Sequence, residues 1–97
     1  ATLDCSSGNV FSITLSEATT FAFSNVPPSG TAYGLTLEVK QDASASGYAV
    51  TWPSSIDWPT GTPPALSASS HAVDVITFYT RNGGTTWFAF AVGLGMA

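Results

Sequence analysis

Alternation of apolar and polar residues with a period of two constrains the fold of this chain more than any other feature. Phe11, Ile13 and Leu15 alternate with short polar residues, and the same spacing recurs in the runs 21–23, 35–39, 48–52, 76–78 and 88–92. Period two is typical of half-buried antiparallel strands. The chain is therefore expected to be all-β.

The runs and the breaks between them predict about seven strands, at 2–5, 10–15, 19–24, 33–40, 48–52, 73–81 and 86–93. Proline fixes φ and removes a backbone donor, so Pro27-Pro28 marks a break. The small-residue segment 42–47 is predicted to be a loop, and the segment 65–72 is predicted to be a loop or at most a turn of 3₁₀-helix. Asn82-Gly83 is a strong hairpin signal, so 74–80 and 87–93 should pair.

The length of 97 residues allows one domain. Short strands at regular spacing favour a sandwich or barrel. We expect residues 1–97 to form a single antiparallel β-sandwich, jelly-roll-like, with no significant helix.

Charge is scarce, and this excludes several partners. Only 8% of the residues are charged, the net charge is −4, and Lys40 and Arg81 are the only fixed cations. Two cations cannot supply the phosphate contacts of a nucleic-acid binder, nor bind an anionic membrane. The sequence also shows no apolar run of about 20 residues and no secretory signal pattern.

The titratable residues do not suggest catalysis. His71 and Asp74 could be drawn into a serine triad, but the chain lacks a G-x-S-x-G elbow, and His71 reads as a solvated loop residue. A glycosidase would need two carboxylates across a cleft, for which a domain this small has little room. One histidine and one cysteine, Cys5, do not make a zinc site. We expect no enzymatic activity, no metal and no cofactor.

The segment 51–64 contains two Trp-Pro pairs, and proline stiffens the backbone before it. Trp52 and Trp58 have three interpretations: they plug one end of the core, they contact another subunit, or they form a ligand platform. Asp74 falls on the core face of its predicted strand, where a carboxylate must be hydrogen-bonded. We expect Asp74 to anchor the proline-rich loop 52–64, together with Trp52 and Trp58.

The last predicted strand carries almost no charge on either face. If one face lies in the core, the other exposes Trp87, Ala89 and Ala91. A soluble monomer rarely has such a bare sheet face. These three residues are therefore a candidate oligomer face.

The aromatic residues also allow a second class of function. Trp58, Tyr48 and Tyr33 could form a platform on which the apolar face of a sugar stacks. A carbohydrate-binding module, free or as a host-attachment tip, is therefore the alternative to a structural role.

Several motifs in order resemble a small β-domain of tailed-bacteriophage virion structural proteins, found in tail fibre and related proteins, including those of marine and cyanobacterial phages. The resemblance extends over about residues 4–95 and is carried by GNVFSITL (8–15), TFAFSNVPPSG (20–30), LEVKQD (37–42), VTWPSSIDWPTGTPP (50–64), VDVITFYT (73–80) and NGGTTW (82–87).

The resemblance implies a non-enzymatic component at the surface of a virion. It fits a capsid decoration or cement protein, a fibre domain, or a host-binding tip, and a chain of this length is closest to a decoration protein or an excised tip domain. Such phage surface domains commonly form homotrimers. The expected partners are therefore other copies of the chain, the major capsid or another virion protein, and in the alternative a host surface glycan.

Overall fold

A computed structural model describes residues 1–43 and 48–96. These described residues contain nine strands and one turn of 3₁₀-helix at Pro59–Gly61. The strands are β1 (Thr2–Asp4), β2 (Val10–Leu15), β3 (Thr19–Thr20), β4 (Ala22–Ser24), β5 (Tyr33–Gln41), β6 (Val50–Thr51), β7 (Ile56–Asp57), β8 (Val73–Thr80) and β9 (Trp87–Gly93).

One five-stranded sheet, in the order β2-β5-β8-β9-β7, forms the larger layer of the sandwich. The two-stranded ribbons β1-β4 and β3-β6 contribute the other layer. Phe23 of β4 packs against Phe78 of β8, with ring centroids 5.6 Å apart, and Leu3 of β1 is 2% exposed. The core thus lies between the five-stranded sheet and the ribbons, and the expected all-β sandwich is confirmed.

Strand pairing is mixed, so the expectation of a purely antiparallel sandwich is wrong. β5-β8 and β8-β9 are antiparallel, whereas β2-β5, β7-β9, β1-β4 and β3-β6 are parallel. Parallel neighbours need a long crossover connection. The connection from β2 to β5 spans 16–32 and carries β3 and β4 to the other layer, which gives it the required length.

The predicted strand boundaries are close to the observed ones, with two informative differences. The run 19–24 is split at Phe21, because Phe21 N–H donates to Thr51 O at 3.0 Å while Ala22 N–H donates to Ala1 O at 3.0 Å. The chain therefore changes partner within one apolar run. Strand β7 was not predicted, and the one 3₁₀ turn of the described residues lies at Pro59–Gly61. The segment 65–72, predicted to be a loop or at most a turn of 3₁₀-helix, is confirmed as a loop. The predicted loop 42–47 falls mostly on 44–47, outside the described residues.

The hairpin predicted from Asn82-Gly83 is confirmed, since β8 and β9 pair antiparallel. Gly83 and Gly84 have φ of 71° and 83°, a region that favours glycine. The Thr80 hydroxyl, fully buried, donates to Thr86 O at 2.7 Å and accepts from Gly84 N–H at 3.1 Å. This side chain therefore closes the turn from inside.

The face predicted for the last strand is inverted. Trp87 and Ala89 are each 1% exposed and belong to the core, whereas Phe90 and Val92 face outward, 46% and 58% exposed. Both faces of β9 are apolar, so the alternation could not decide between them. The Trp87 ring is taken into the core by stacking on Phe23 at 4.3 Å. Only Ala91 of the predicted oligomer face is exposed.

Candidate functional site

The Trp-Pro segment packs onto the core. Trp52 stacks on Phe21 with centroids 5.2 Å apart and an interplanar angle of 15°, and Trp58 meets Trp52 edge-on at 5.3 Å. Both indoles also reach Phe78, at 5.7 and 6.0 Å. Since both are only partly exposed, most of their surface is already used in these contacts.

Asp74 is a buried anchor, but it holds other segments than expected. Its carboxylate is 2% exposed and accepts hydrogen bonds from Ser67 N–H at 2.7 Å, Ser67 Oγ at 2.8 Å and Gly95 N–H at 2.9 Å. The donors lie after the proline-rich loop 52–64 and beyond β9. Asp74 therefore ties the loop before β8 to the segment after β9, and the expectation that it holds 52–64 is wrong.

The residues of the expected sugar platform lie in different surroundings. Tyr33 donates to Gly8 O at 2.5 Å and meets Trp87 edge-on at 6.2 Å, and burial raises its pKa to about 12. Tyr48 donates to Asp42 and lines one cavity, whereas Trp58 lines another, beside Phe90. The three rings do not share a single described cavity.

An uncovered apolar region lies on the outer face of β8 and β9. It is called the β9 surface here and consists of Tyr79, Phe88, Phe90 and Val92. The Tyr79 and Phe88 rings are 5.2 Å apart, and the Arg81 guanidinium lies 5.2 Å from the centre of the Phe88 ring. The chain continues from this surface into two further exposed apolar residues, Leu94 and Met96, which are 47% and 62% exposed.

The outer face of the same sheet is polar at β2 and β5. Ser12 donates to Glu38 Oε1 at 3.2 Å, and Lys40 Nζ lies 3.2 Å from the same oxygen. The face is thus divided: one half carries charge and hydroxyls beside the exposed Val10, and the other half carries a cluster of aromatic and aliphatic side chains. No charged residue occurs in 86–96.

A cavity of about 460 Å³ opens between the end of β5, the start of β6 and the segment 63–68. Gln41, Tyr48 and Trp52 line it. Gln41 was not among the predicted site residues, although the period-two spacing of this strand places it on the core face after Leu35, Leu37 and Val39. A polar residue continuing an inward apolar series was the signal available.

The remaining reactive side chains have structural surroundings. Cys5 is 5% exposed, and burial raises the pKa of its thiol. The side chain of His71 is exposed. The backbone of this residue has φ of 59°, and its backbone N–H donates to Asp42 O at 3.3 Å. Within 1–43 and 48–96, no three His, Cys, Asp or Glu side chains are grouped to hold a metal ion. The described part of the chain also contains no helix long and apolar enough to cross a membrane.

Comparisons of the chain with protein families, curated proteins and solved structures return no match.

Proposed function

We propose that this chain is a non-enzymatic structural module of a bacteriophage particle that associates with copies of itself through the β9 surface. The observation that carries the self-association is the cluster of exposed apolar side chains on one half of a sheet face whose other half carries Ser12, Glu38 and Lys40 beside Val10. Burying such surface is the main favourable term in protein association.

The size of the exposed apolar region is appropriate for part of an interface. Tyr79, Phe90, Val92, Leu94 and Met96 are each 43–62% exposed. If a fully exposed side chain of this kind presents about 150–200 Å², they leave roughly 400 Å² uncovered. A standard interface buries about 800 Å² per partner. The β9 surface and the segment after it would thus supply about half of the area, and flanking polar groups would supply the rest.

The assignment to a virion surface rests on the resemblance of the sequence motifs to tailed-phage structural domains. The proposed assembly is a homotrimer that docks on the major capsid protein or another virion protein, as a decoration protein or fibre domain. The scarcity of charge agrees with a surface that is largely covered in an assembly.

Native mass spectrometry and sedimentation velocity of the purified chain at micromolar concentration test the self-association. A trimer is the expected result, and a monodisperse monomer would contradict it. The location is tested by proteomics of gradient-purified particles of a phage whose genome encodes this chain. Peptides of this chain are expected in the particle fraction, and their absence there would remove the virion assignment.

A further inference from the structure

The cavity at the end of β5 has the size and lining of a small-molecule site. Its volume of about 460 Å³ lies within the range of about 300–1,000 Å³ typical of ligand pockets. Two aromatic residues, Tyr48 and Trp52, lie beside the apolar Val50, Pro64 and Leu66, and the Gln41 side chain completes the wall. Such a wall combines apolar surface with a few polar groups, as binding sites do.

The unpaired side-chain oxygen of Gln41 supports a binding site independently of the volume of the cavity. The residue is 3% exposed, and in the described part of the chain its Oε1 atom has no hydrogen-bond partner. Buried polar atoms almost always have partners, so an orphan acceptor at a cavity wall requires an explanation. The last torsion of a glutamine is soft, so a small rotation can turn the amide toward a hydroxyl group in the cavity.

The aromatic residues indicate the kind of ligand. The Tyr48 hydroxyl donates to the Asp42 carboxylate at 3.2 Å, which fixes the polar end of this ring. Trp52 is fixed by its stack on Phe21. Two immobilised aromatic side chains beside an amide acceptor suit a ligand that has an apolar face and hydroxyl groups at its edge.

The charges around the cavity narrow the class of ligand further. Among the described residues that line the cavity there is no lysine, arginine or histidine, and the Tyr48 hydroxyl is bonded to the Asp42 carboxylate. An anionic ligand would therefore find no counter-charge and would be repelled. We infer that this cavity binds a neutral pyranose sugar, with its CH face against Tyr48 and Trp52 and a hydroxyl donating to Gln41 Oε1. This inference does not depend on self-association through the β9 surface.

The test uses methyl glycosides of glucose, galactose, mannose and N-acetylglucosamine at millimolar concentrations, with methyl glucuronide as the anionic control. Saturation-transfer NMR detects binding, and ¹H–¹⁵N spectra locate it. We expect at least one neutral glycoside to bind and to shift the signals of Gln41, Tyr48 and Trp52, and methyl glucuronide not to bind. Failure of all four neutral glycosides to bind would overturn the inference.

Gln41→Leu separates a binding role from a structural one. It removes the amide without emptying the cavity wall, so we expect affinity for the glycoside to fall about tenfold, as loss of one hydrogen bond predicts. Because it also removes an orphan polar atom, its melting temperature should not decrease. Tyr48→Ala should abolish binding, and Tyr33→Phe, outside the cavity, should leave it unchanged. Unaltered affinity in both Gln41→Leu and Tyr48→Ala would overturn the inference, whatever the wild type binds.

Discussion

Ser67 binds the buried carboxylate of Asp74 twice, through its backbone N–H to Oδ2 at 2.7 Å and through its hydroxyl to Oδ1 at 2.8 Å. Gly95 N–H adds a third hydrogen bond to Oδ1 at 2.9 Å. One side chain of β8 therefore fixes two segments that are far apart in sequence. The arrangement satisfies the carboxylate and also two backbone N–H groups outside the strands.

Asp74→Ala is expected to lower the free energy of unfolding by about 1–3 kcal/mol, because it leaves these donors without an acceptor. Thermal and urea denaturation measure the change. Asp57→Ala, which removes an exposed carboxylate, is the matched control and should cost much less. An unchanged melting temperature for Asp74→Ala would show that the anchor contributes nothing to stability.

Gly84 combines a positive φ with a crowded position. A Cβ atom there would lie 3.3 Å from both Trp87 Nε1 and Val26 Cγ2. Gly30 has a similar φ of 93°, but a Cβ atom would meet nothing within 4 Å. Gly30→Ala should therefore cost only the backbone strain, about 1–2 kcal/mol, and Gly84→Ala about 1 kcal/mol more. Denaturation of both variants measures the difference, and equal costs would show that the turn can shift away from Trp87.

The lowered pKa of the Asp4 carboxyl group predicts that the stability of the fold depends on pH. Hydrogen bonds from Ser6 Oγ, Asn25 Nδ2 and Ser6 N–H to its carboxylate lower its pKa from 3.8 to about 2. A lowered pKa in the folded state stabilises the fold above pH 3.8, and this contribution is lost as the pH falls to about 2. Asp4→Asn should therefore melt at a lower temperature than the wild type at pH 7, and the gap should close between pH 4 and pH 2. Glu17→Gln is the control, and a gap that persists at pH 2 would contradict the assignment.

Structural features that depend only on residues close together in the sequence could be predicted from the sequence. The Asn82-Gly83 signal depends only on adjacent residues that favour a tight turn, and the inward side of Asp74 follows from its period-two spacing with Ile76 and Phe78. Both features appear in the structure. The parallel pairing of β2 with β5 was not predictable in the same way, because alternation identifies a strand but not its partner.

Apolar–polar alternation could not predict which face of β9 is buried. Trp87, Phe88, Phe90 and Val92 are all apolar, so each register would bury a hydrophobic face. The choice depends on the gap beside Phe23, which the indole of Trp87 fills. For Gln41 the buried face could be predicted, but its surroundings could not. Its inward position could be read from the alternation in β5, but the cavity beside it forms only when the segment 63–68 packs against the sheet.

The β9 surface gives the sharpest test of self-association. Phe90→Glu places a charge at the centre of this surface, where its burial between copies would be costly, so the proposed trimer should dissociate. Because Phe90 is 46% exposed, the fold itself should lose little stability. Val10→Glu is the matched control, since Val10 is 74% exposed on the edge strand β2 of the same sheet, which β5 and β8 separate from β9. Sedimentation velocity should show monomers for Phe90→Glu and trimers for Val10→Glu. The reverse pattern would place the interface at β2 and leave the β9 surface without this role.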